Sequence, residues 1–219
     1  FYSSSACIYP DYNQLDANNP NCEESSVYPA NPDSEYGWEK LFSERVFLAF
    51  NRNYGLNVKI ARYHNIFGPQ GTWEGGKEKA PAAMIRKACE ATDVVEVWGS
   101  GAQTRSFMYV DDCVEATIRL MRQDKFMGPV NIGSEEMVPI NELAQIAIDL
   151  SGKNIKIYNI DGQDFIDKYG FPCPIGVNGR NSHNKLFNEN LNWESTINLK
   201  DGMEKTYGWI EKQYNLSKR

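Results

Sequence analysis

Apolar positions along the chain come as short runs set between longer stretches in which apolar and polar residues recur with helical spacing. That is the rhythm of an α/β sheet. "FYSSSACIYP" (Phe1 to Pro10) reads as the end of a buried strand running into a loop. Residues 11–33, polar and rich in Asn, Pro and Ser, read as a surface loop. Asp33 or Ser34 is placed to cap a helix that runs to about Tyr54, where Gly55 ends it. "NVKIARY" (Asn57 to Tyr63) is a β-rich run consistent with a buried parallel strand. A long Gly-rich loop follows, from His64 to Pro81, and a helix starts near Pro81, where proline is tolerated in the first turn. "VVEVWGSGAQTRSFMYV" (Val94 to Val110) predicts two strands around a Gly-rich turn, and Asp111 or Asp112 caps a helix to about Arg122. "PVNIG" is a short strand, and "PINELAQIAIDLSG" is a helix ending at Gly152. Residues 159–185 read as irregular, and a last helix spans Leu199 to Tyr214.

Composition narrows the function classes. The chain has 219 residues, 41% hydrophobic and 24% charged, which is ordinary globular usage. A formal net charge of -6 argues against nucleic acid or an anionic membrane as the main partner. A small anionic ligand stays open, since one cluster of Lys and Arg suffices for it. The five cysteines, Cys7, Cys22, Cys89, Cys113 and Cys173, are odd in number, widely spaced and without a CxxC pair. That pattern predicts neither a zinc site nor a disulfide framework, and points to a reducing, cytosolic compartment. No apolar run has the length to span a bilayer, and no signal peptide is visible. The chain opens without Met in what looks like a strand already in progress, so an upstream part of a larger protein is expected.

Candidate chemistry starts with "EYGWEK". Tyr36 and Lys40 are four apart in a predicted helix and therefore neighbours on one face. A phenol titrates near ~10 and is a poor base at neutral pH, but a close ammonium favours its ionised form. The plain alternative is two surface residues that happen to share this spacing. Cys7, two residues past Ser5, is expected to point the same way as Ser5 from an extended strand. A thiol near pKa ~8.5 is a workable base where cations lower it. The plain alternative is a small buried hydrophobe. His64 and His183, the only histidines, are expected to pack or cap.

The ordered set "SSSACIY", "YGWEK", "RYHNIFGP", "GSGAQTRSFMYVDD" and "VNIGS" resembles the extended short-chain dehydrogenase/reductase family of nucleotide-sugar epimerases and dehydratases. "SSSACIYP", "GTWEGGKEKAPAA", "WGSGAQTRSF" and "GRNS" are most similar to its branch that epimerises GDP-mannose at carbons 3 and 5. The resemblance covers nearly the whole chain. It implies an α/β fold, part of a Rossmann-type doubly wound parallel sheet with a smaller α/β substrate lobe. Residues 1–67 would close the NAD-binding domain. Residues 68–219 would form mainly the nucleotide-sugar lobe, with a segment near 105–125 returning to the first domain. It also implies NAD as cofactor, GDP-mannose as ligand and a homodimer formed through the Tyr36 helix.

By the same resemblance Ser5, Tyr36 and Lys40 serve hydride transfer at sugar carbon 4, with Tyr36 as base and Lys40 also on the nicotinamide ribose. A ketone at carbon 4 acidifies the protons on carbons 3 and 5, and Cys7 and Lys79 become the base and acid on opposite faces. Ala6, Glu78 and Ala80 line the sugar. Arg105 and Arg180 take the diphosphate, and Asn65, Lys87, Gln103 and Thr104 are further substrate contacts. Three features depart from the pattern. The Gly-rich NAD loop would lie upstream of Phe1. Residues 161–176 are longer than the family's connection, and Asn178 and His183 replace an arginine and an aspartate. A 4-epimerase, a 4,6-dehydratase and a non-catalytic nucleotide-sugar binder are the competing readings. Ala6 and Cys7 stand where a dehydratase carries an acidic pair.

Overall fold

A computed structural model describes residues 1–218. Strands β1 (Tyr2–Ser5), β2 (Ile60–Tyr63) and β7 (Val130–Ile132) form a parallel sheet in the order β1-β2-β7. Helix α1 (Glu35–Tyr54) connects β1 to β2. The Ser34 hydroxyl caps it by accepting from Gly37 N, and Gly55 ends it at φ 71, a conformation glycine adopts without strain. The strand predicted from Asn57 is shorter, beginning at Ile60.

The rest of the chain builds the second layer. Helices α2 (Ala80–Glu90), α4 (Ile140–Ser151) and α7 (Leu199–Ser217) pack together with β4 (Val94–Trp98) around Ile85, Ala88, Leu143, Ala147, Met203 and Ile210. The Val94–Val110 stretch forms three strands that pair elsewhere. β4 lies parallel to β9 (Lys156–Ile160). β5 (Thr104–Ser106) sits between β8 (Met137–Pro139) and β10 (Gly179–Arg180). β6 (Met108–Tyr109) pairs with β3 (Ile66–Phe67), a strand inside the Gly-rich loop. Helix α3 (Val110–Met121) covers the first sheet, with Ala116 and Leu120 against Ala61, Val130 and Ile132.

Four expectations are corrected. The period-two argument for Cys7 fails because β1 stops at Ser5, and Ala6–Ile8 is a 3-10 turn capped by the Ser5 hydroxyl, which accepts from Cys7 N at 3.2 Å. Neither Asp111 nor Asp112 caps α3. Asp112 is buried and accepts from the Thr196 and Ile197 amides at 2.8 Å each, tying the chain before α7 to this helix. Residues 159–185 are not irregular: they hold the end of β9, α5 (Gly162–Tyr169), β10 and the start of α6 (Lys185–Leu191). The Asp161 side chain caps α5, and Phe165 and Tyr169, one turn apart, anchor it. The polar stretch 11–33 is not all surface, since Gln14, Cys22 and Val27 are buried.

A buried polar network joins these parts. Asn131 on β7 accepts from the Tyr9 hydroxyl (2.6 Å) and pairs with His64 Nε2 (2.9 Å) through Oδ1. Its amide donates to the carbonyls of Cys22 (2.8 Å) and His183 (3.1 Å). His64 is fully buried, and burial lowers its pKa to about 3. His183 is half-exposed, 3.7 Å from Glu23.

Gly37 sets the seat of α1. A Cβ there would stand 2.2 Å from the Cys7 carbonyl oxygen, so the helix rests backbone to backbone on the turn after β1.

Two predictions follow from this packing. His64 is neutral when folded but titrates near ~6.5 when unfolded, so the unfolded chain binds the extra proton as pH falls below ~6.5. Stability should therefore drop by up to about 1.4 kcal/mol per pH unit toward pH ~3. His64→Gln, followed by denaturant titration across that window, should lose this part of the slope. Gly→Ala within a helix normally gains about 1 kcal/mol, but here the methyl meets a backbone that cannot yield. Gly37→Ala should cost about 1–3 kcal/mol in the unfolding midpoint.

Candidate active site

The site begins where β1 ends. Ser5 is still extended, and its hydroxyl turns the chain so that Cys7 is carried by a tight turn beneath the first turn of α1. Because Gly37 touches that turn, its neighbour Tyr36 stands next to it, 52% exposed. The Lys40 ammonium lies 5.5 Å from the Tyr36 ring centroid and 5.2 Å from that of Tyr2. The i, i+4 pair thus shares one face, with a cation between two phenols.

Arg180 reaches the same turn from the far end of the chain and is 8% exposed. Its Nη1 donates to Cys7 Sγ (3.3 Å), its Nε to Gln14 Oε1 (2.5 Å) and its Nη2 to Asp33 Oδ2 (3.3 Å). Its strand β10 runs parallel to β5, with Arg180 opposite Arg105 in the register. The close approach of residues 16 and 17 to Gly179 excludes a side chain there, since a Cβ would lie 2.7 Å from Asp16 O. The Arg105 guanidinium is held by the carbonyls of Thr104 and Val177, at 2.7 Å each. Burial first, and then the charge of Arg180, lower the Arg105 pKa to about 10. Two adjacent, partly buried guanidinium groups share one nearby carboxylate, Asp33, and the surplus positive charge suits an anion.

Asn65, Lys79, Ala80, Gln103 and Arg105 line one pocket of about 200 Å³. Asn65 holds a left-handed backbone (φ 46), and its amide donates to Ser106 O at 3.0 Å. Lys79 occupies the exposed N-cap position of α2. Gln103 is 8% exposed, and its Oε1 has no hydrogen-bond partner among the described residues.

Glu78, Lys87 and Thr104 are placed elsewhere. Burial raises the Glu78 pKa, but backbone amides and Arg86, 2.9 Å away, outweigh it and leave the carboxyl below its usual range. The Lys87 ammonium donates to Glu96 O (2.7 Å) over the Trp98 ring, and burial lowers its pKa. Glu78 and Lys87 face an adjoining cleft beside Trp98. The buried Thr104 hydroxyl donates to Ala17 O, pinning the 11–33 loop. Sequence reasoning missed Gln14 and Asp33, which lie in a polar loop without any periodic signal. It also missed the role of Gly37, whose signal is a glycine inside a helical pattern.

Residues 1–133 match the profile described as the NAD dependent epimerase/dehydratase family. GDP-mannose 3,5-epimerase of Arabidopsis thaliana is 47% identical over 218 residues, which is 100% of this chain and 55% of that protein. A GDP-L-fucose synthase of Sinorhizobium fredii is 33% identical over 69% of this chain and 49% of its own length. The chain therefore spans about half the length of the curated relatives it matches. The solved UDP-glucose 4-epimerase of Thermotoga maritima shares the fold at a TM-score of 0.81 and 24% identity, covering 97% of this chain and 63% of that one. The profile match extends over more than half of a chain built on a Rossmann-type parallel sheet, and this protein belongs to the NAD-dependent epimerase/dehydratase family.

Proposed function

We propose that the chain carries the catalytic centre of an NAD-dependent enzyme that epimerises GDP-mannose at carbons 3 and 5 through a transient 4-ketone. The products are GDP-L-galactose and, when only carbon 5 inverts, GDP-L-gulose. The observation that carries the reading is the Gly37–Cys7 backbone contact, which seats the helix bearing Tyr36 and Lys40 on the turn bearing Cys7. The similarity to plant proteins named for this reaction supplies the substrate.

NAD, when bound, would supply a reversible hydride acceptor for carbon 4, which leaves no net redox. The half-exposed Tyr36 and Lys40, beyond the carboxyl end of β1, suit the nicotinamide end, because parallel sheets bind ligands at that edge. Tyr36 takes the carbon-4 hydroxyl proton, with Lys40 holding positive charge beside the phenolate as it forms and Ser5 orienting the hydroxyl. Cys7 then removes the proton on carbon 3 or 5, now acidified by the ketone. Lys79 delivers a proton to the opposite face, and Ala80 lines the same pocket as Lys79, whereas the buried Ala6 and the Arg86-bound Glu78 stand back from it. Arg105 and Arg180 neutralise the diphosphate, with Asn65 and Gln103, which line the same pocket as Arg105, as further contacts.

In this reading residues 1–67 belong to the NAD-binding domain and 68–219 mainly to the nucleotide-sugar lobe, with a segment near 105–125 returning to the first. The protein works in the cytosol as a homodimer through α1. Its outward face leaves Trp38, Phe42, Phe50 and Tyr54 exposed, with Phe42 at 70%, and an apolar face of that kind marks an interaction site. Phe42→Glu in the full-length protein should halve the mass seen by sedimentation.

For the chemistry, the full-length protein incubated with GDP-mannose and NAD in D₂O should place deuterium at carbons 3 and 5, followed by NMR. Cys7→Ala should slow that exchange about 10²–10⁴-fold, and Tyr36→Phe should abolish it by blocking ketone formation. Absence of exchange with both ligands bound overturns the reading.

A further inference from the structure

Gln14 ends the 3-10 turn Asp11–Gln14 and is fully buried. A buried amide is costly unless its donors and its acceptor are matched. Nε2 donates to Tyr9 O at 3.1 Å and to Pro10 O at 3.0 Å, which uses both amide hydrogens. Oε1 accepts from Arg180 Nε at 2.5 Å. The reversed amide would set its oxygen against two carbonyls and its hydrogens against a guanidinium N–H, so one setting alone is satisfied. The two carbonyls that hold it come directly after the turn bearing Cys7. The amide therefore bridges the thiol's own turn to the arginine. Asn178, two residues before Arg180, donates to Leu15 O at 2.9 Å and anchors the same strand from the other side of Gln14.

A guanidinium is planar, so fixing Nε fixes where both terminal nitrogens point. With Nε on Gln14, Nη2 meets Asp33 Oδ2 and Nη1 meets Cys7 Sγ, at 3.3 Å each. Among the described residues, three of the five N–H groups have partners, and two remain for an anion. Gln14 is also neutral. A carboxylate in its place would cancel the guanidinium charge inside the protein, where Coulomb attraction is strong. Asp33 cancels it only weakly, because its side chain is 26% exposed. Arg105, opposite Arg180 in the register, adds positive charge. The charge beside the sulfur is thus left largely uncompensated, and a cation beside a thiol favours the thiolate. We propose that Gln14 is a positioning residue for the thiol step. It aims the Arg180 fork at Cys7 without cancelling its charge. The thiolate then takes the carbon-bound proton while the electron pair of the broken C–H bond passes into the 4-ketone as an enolate. The proposal rests on the epimerase reading above and extends it to a buried residue behind the site.

Alkylation of the full-length protein by iodoacetamide at neutral pH, without substrate, tests it. Mass spectrometry of the Cys7 peptide reads the rate, and Cys173, also half-buried, is the reference thiol. Gln14→Met, unbranched and of similar length, should slow Cys7 about fivefold or more and leave Cys173 within about twofold. A thermal melt checks folding. Should that variant not fold, Gln14→Glu keeps the shape, and the same slowing is expected because its charge cancels that of Arg180. An unchanged Cys7 rate overturns the proposal. So does a faster one, which would mean that Gln14 only closes the turn and shields the sulfur. Equal slowing of Cys173 overturns it as well. Because alkylation needs no turnover, slowed alkylation in a protein whose native form exchanges no deuterium would sink the epimerase reading and leave the role of Gln14 standing. Exchange in the native protein with unaltered alkylation in the variant would do the reverse.

Discussion

The ion pair between Arg62 and Glu44 is the constraint on which the rest of the first layer depends. Both side chains are buried, and the guanidinium meets the carboxylate at two points, Nε–Oε1 at 3.0 Å and Nη2–Oε2 at 2.7 Å. Glu44 also accepts from Ser4 Oγ at 2.5 Å, so one carboxylate joins β1, β2 and α1. Burial holds Tyr9 as a neutral phenol, whose oxygen accepts from Arg62 and whose proton goes to Asn131. Such a pair gains little over apolar packing, since desolvation offsets most of the Coulomb attraction. What it supplies is register: a one-residue slip of β2 would turn Arg62 away from the helix and strand Glu44 without a counter-charge. The seat of Lys40 and Tyr36, about one and two turns before Glu44 on the same helix, follows from that register.

The site itself is assembled from opposite ends of the chain. Cys7 and Tyr36 come with the first strand and helix, whereas the guanidinium that touches the Cys7 sulfur comes from a two-residue strand near the C-terminus. Placing Arg105 and Arg180 in register costs like-charge repulsion, which Asp33 and several backbone carbonyls only partly relieve. A bound anion completes that balance. The arrangement is a surplus of charge held ready in protein that is otherwise acidic.

What was legible in the sequence followed local rules. The Tyr36–Lys40 pair was visible because helical spacing is strict, and Gly55 and Gly152 end α1 and α4 as their positions imply. Cys7 was misplaced because the alternation rule holds only while the strand continues, and the strand ends at Ser5, two residues before Cys7, in a turn capped by the serine hydroxyl. Helix α5 was hidden by the glycines and prolines around it, although its cap, its closing glycine and its aromatic pair one turn apart were all present. Asp112 was read as a cap, yet it binds the amides of a segment more than eighty positions away. Gln14 carries no local signal and Asp33 reads only as a candidate helix cap, because their role depends on an arginine brought in by tertiary structure.

The stitching of residues 14–17 beneath β5 and β10 has a consequence for how the molecule comes to exist. Asn178 donates to Leu15 O across a separation of 163 residues, and Arg180 meets Gln14 across 166 and Cys7 across 173. Contacts of that span carry a loop-closure cost that no local helix or turn offsets, and chains rich in them fold slowly. During synthesis the turn bearing Cys7 emerges 173 residues before its partner Arg180. Until then Gln14 Oε1 and Asp33 lack their guanidinium, although Asn131 and Thr104 already hold the loop at Cys22 and Ala17. The cleft exists only when both of these separated segments are in place. Its integrity reports on the completeness of the whole fold.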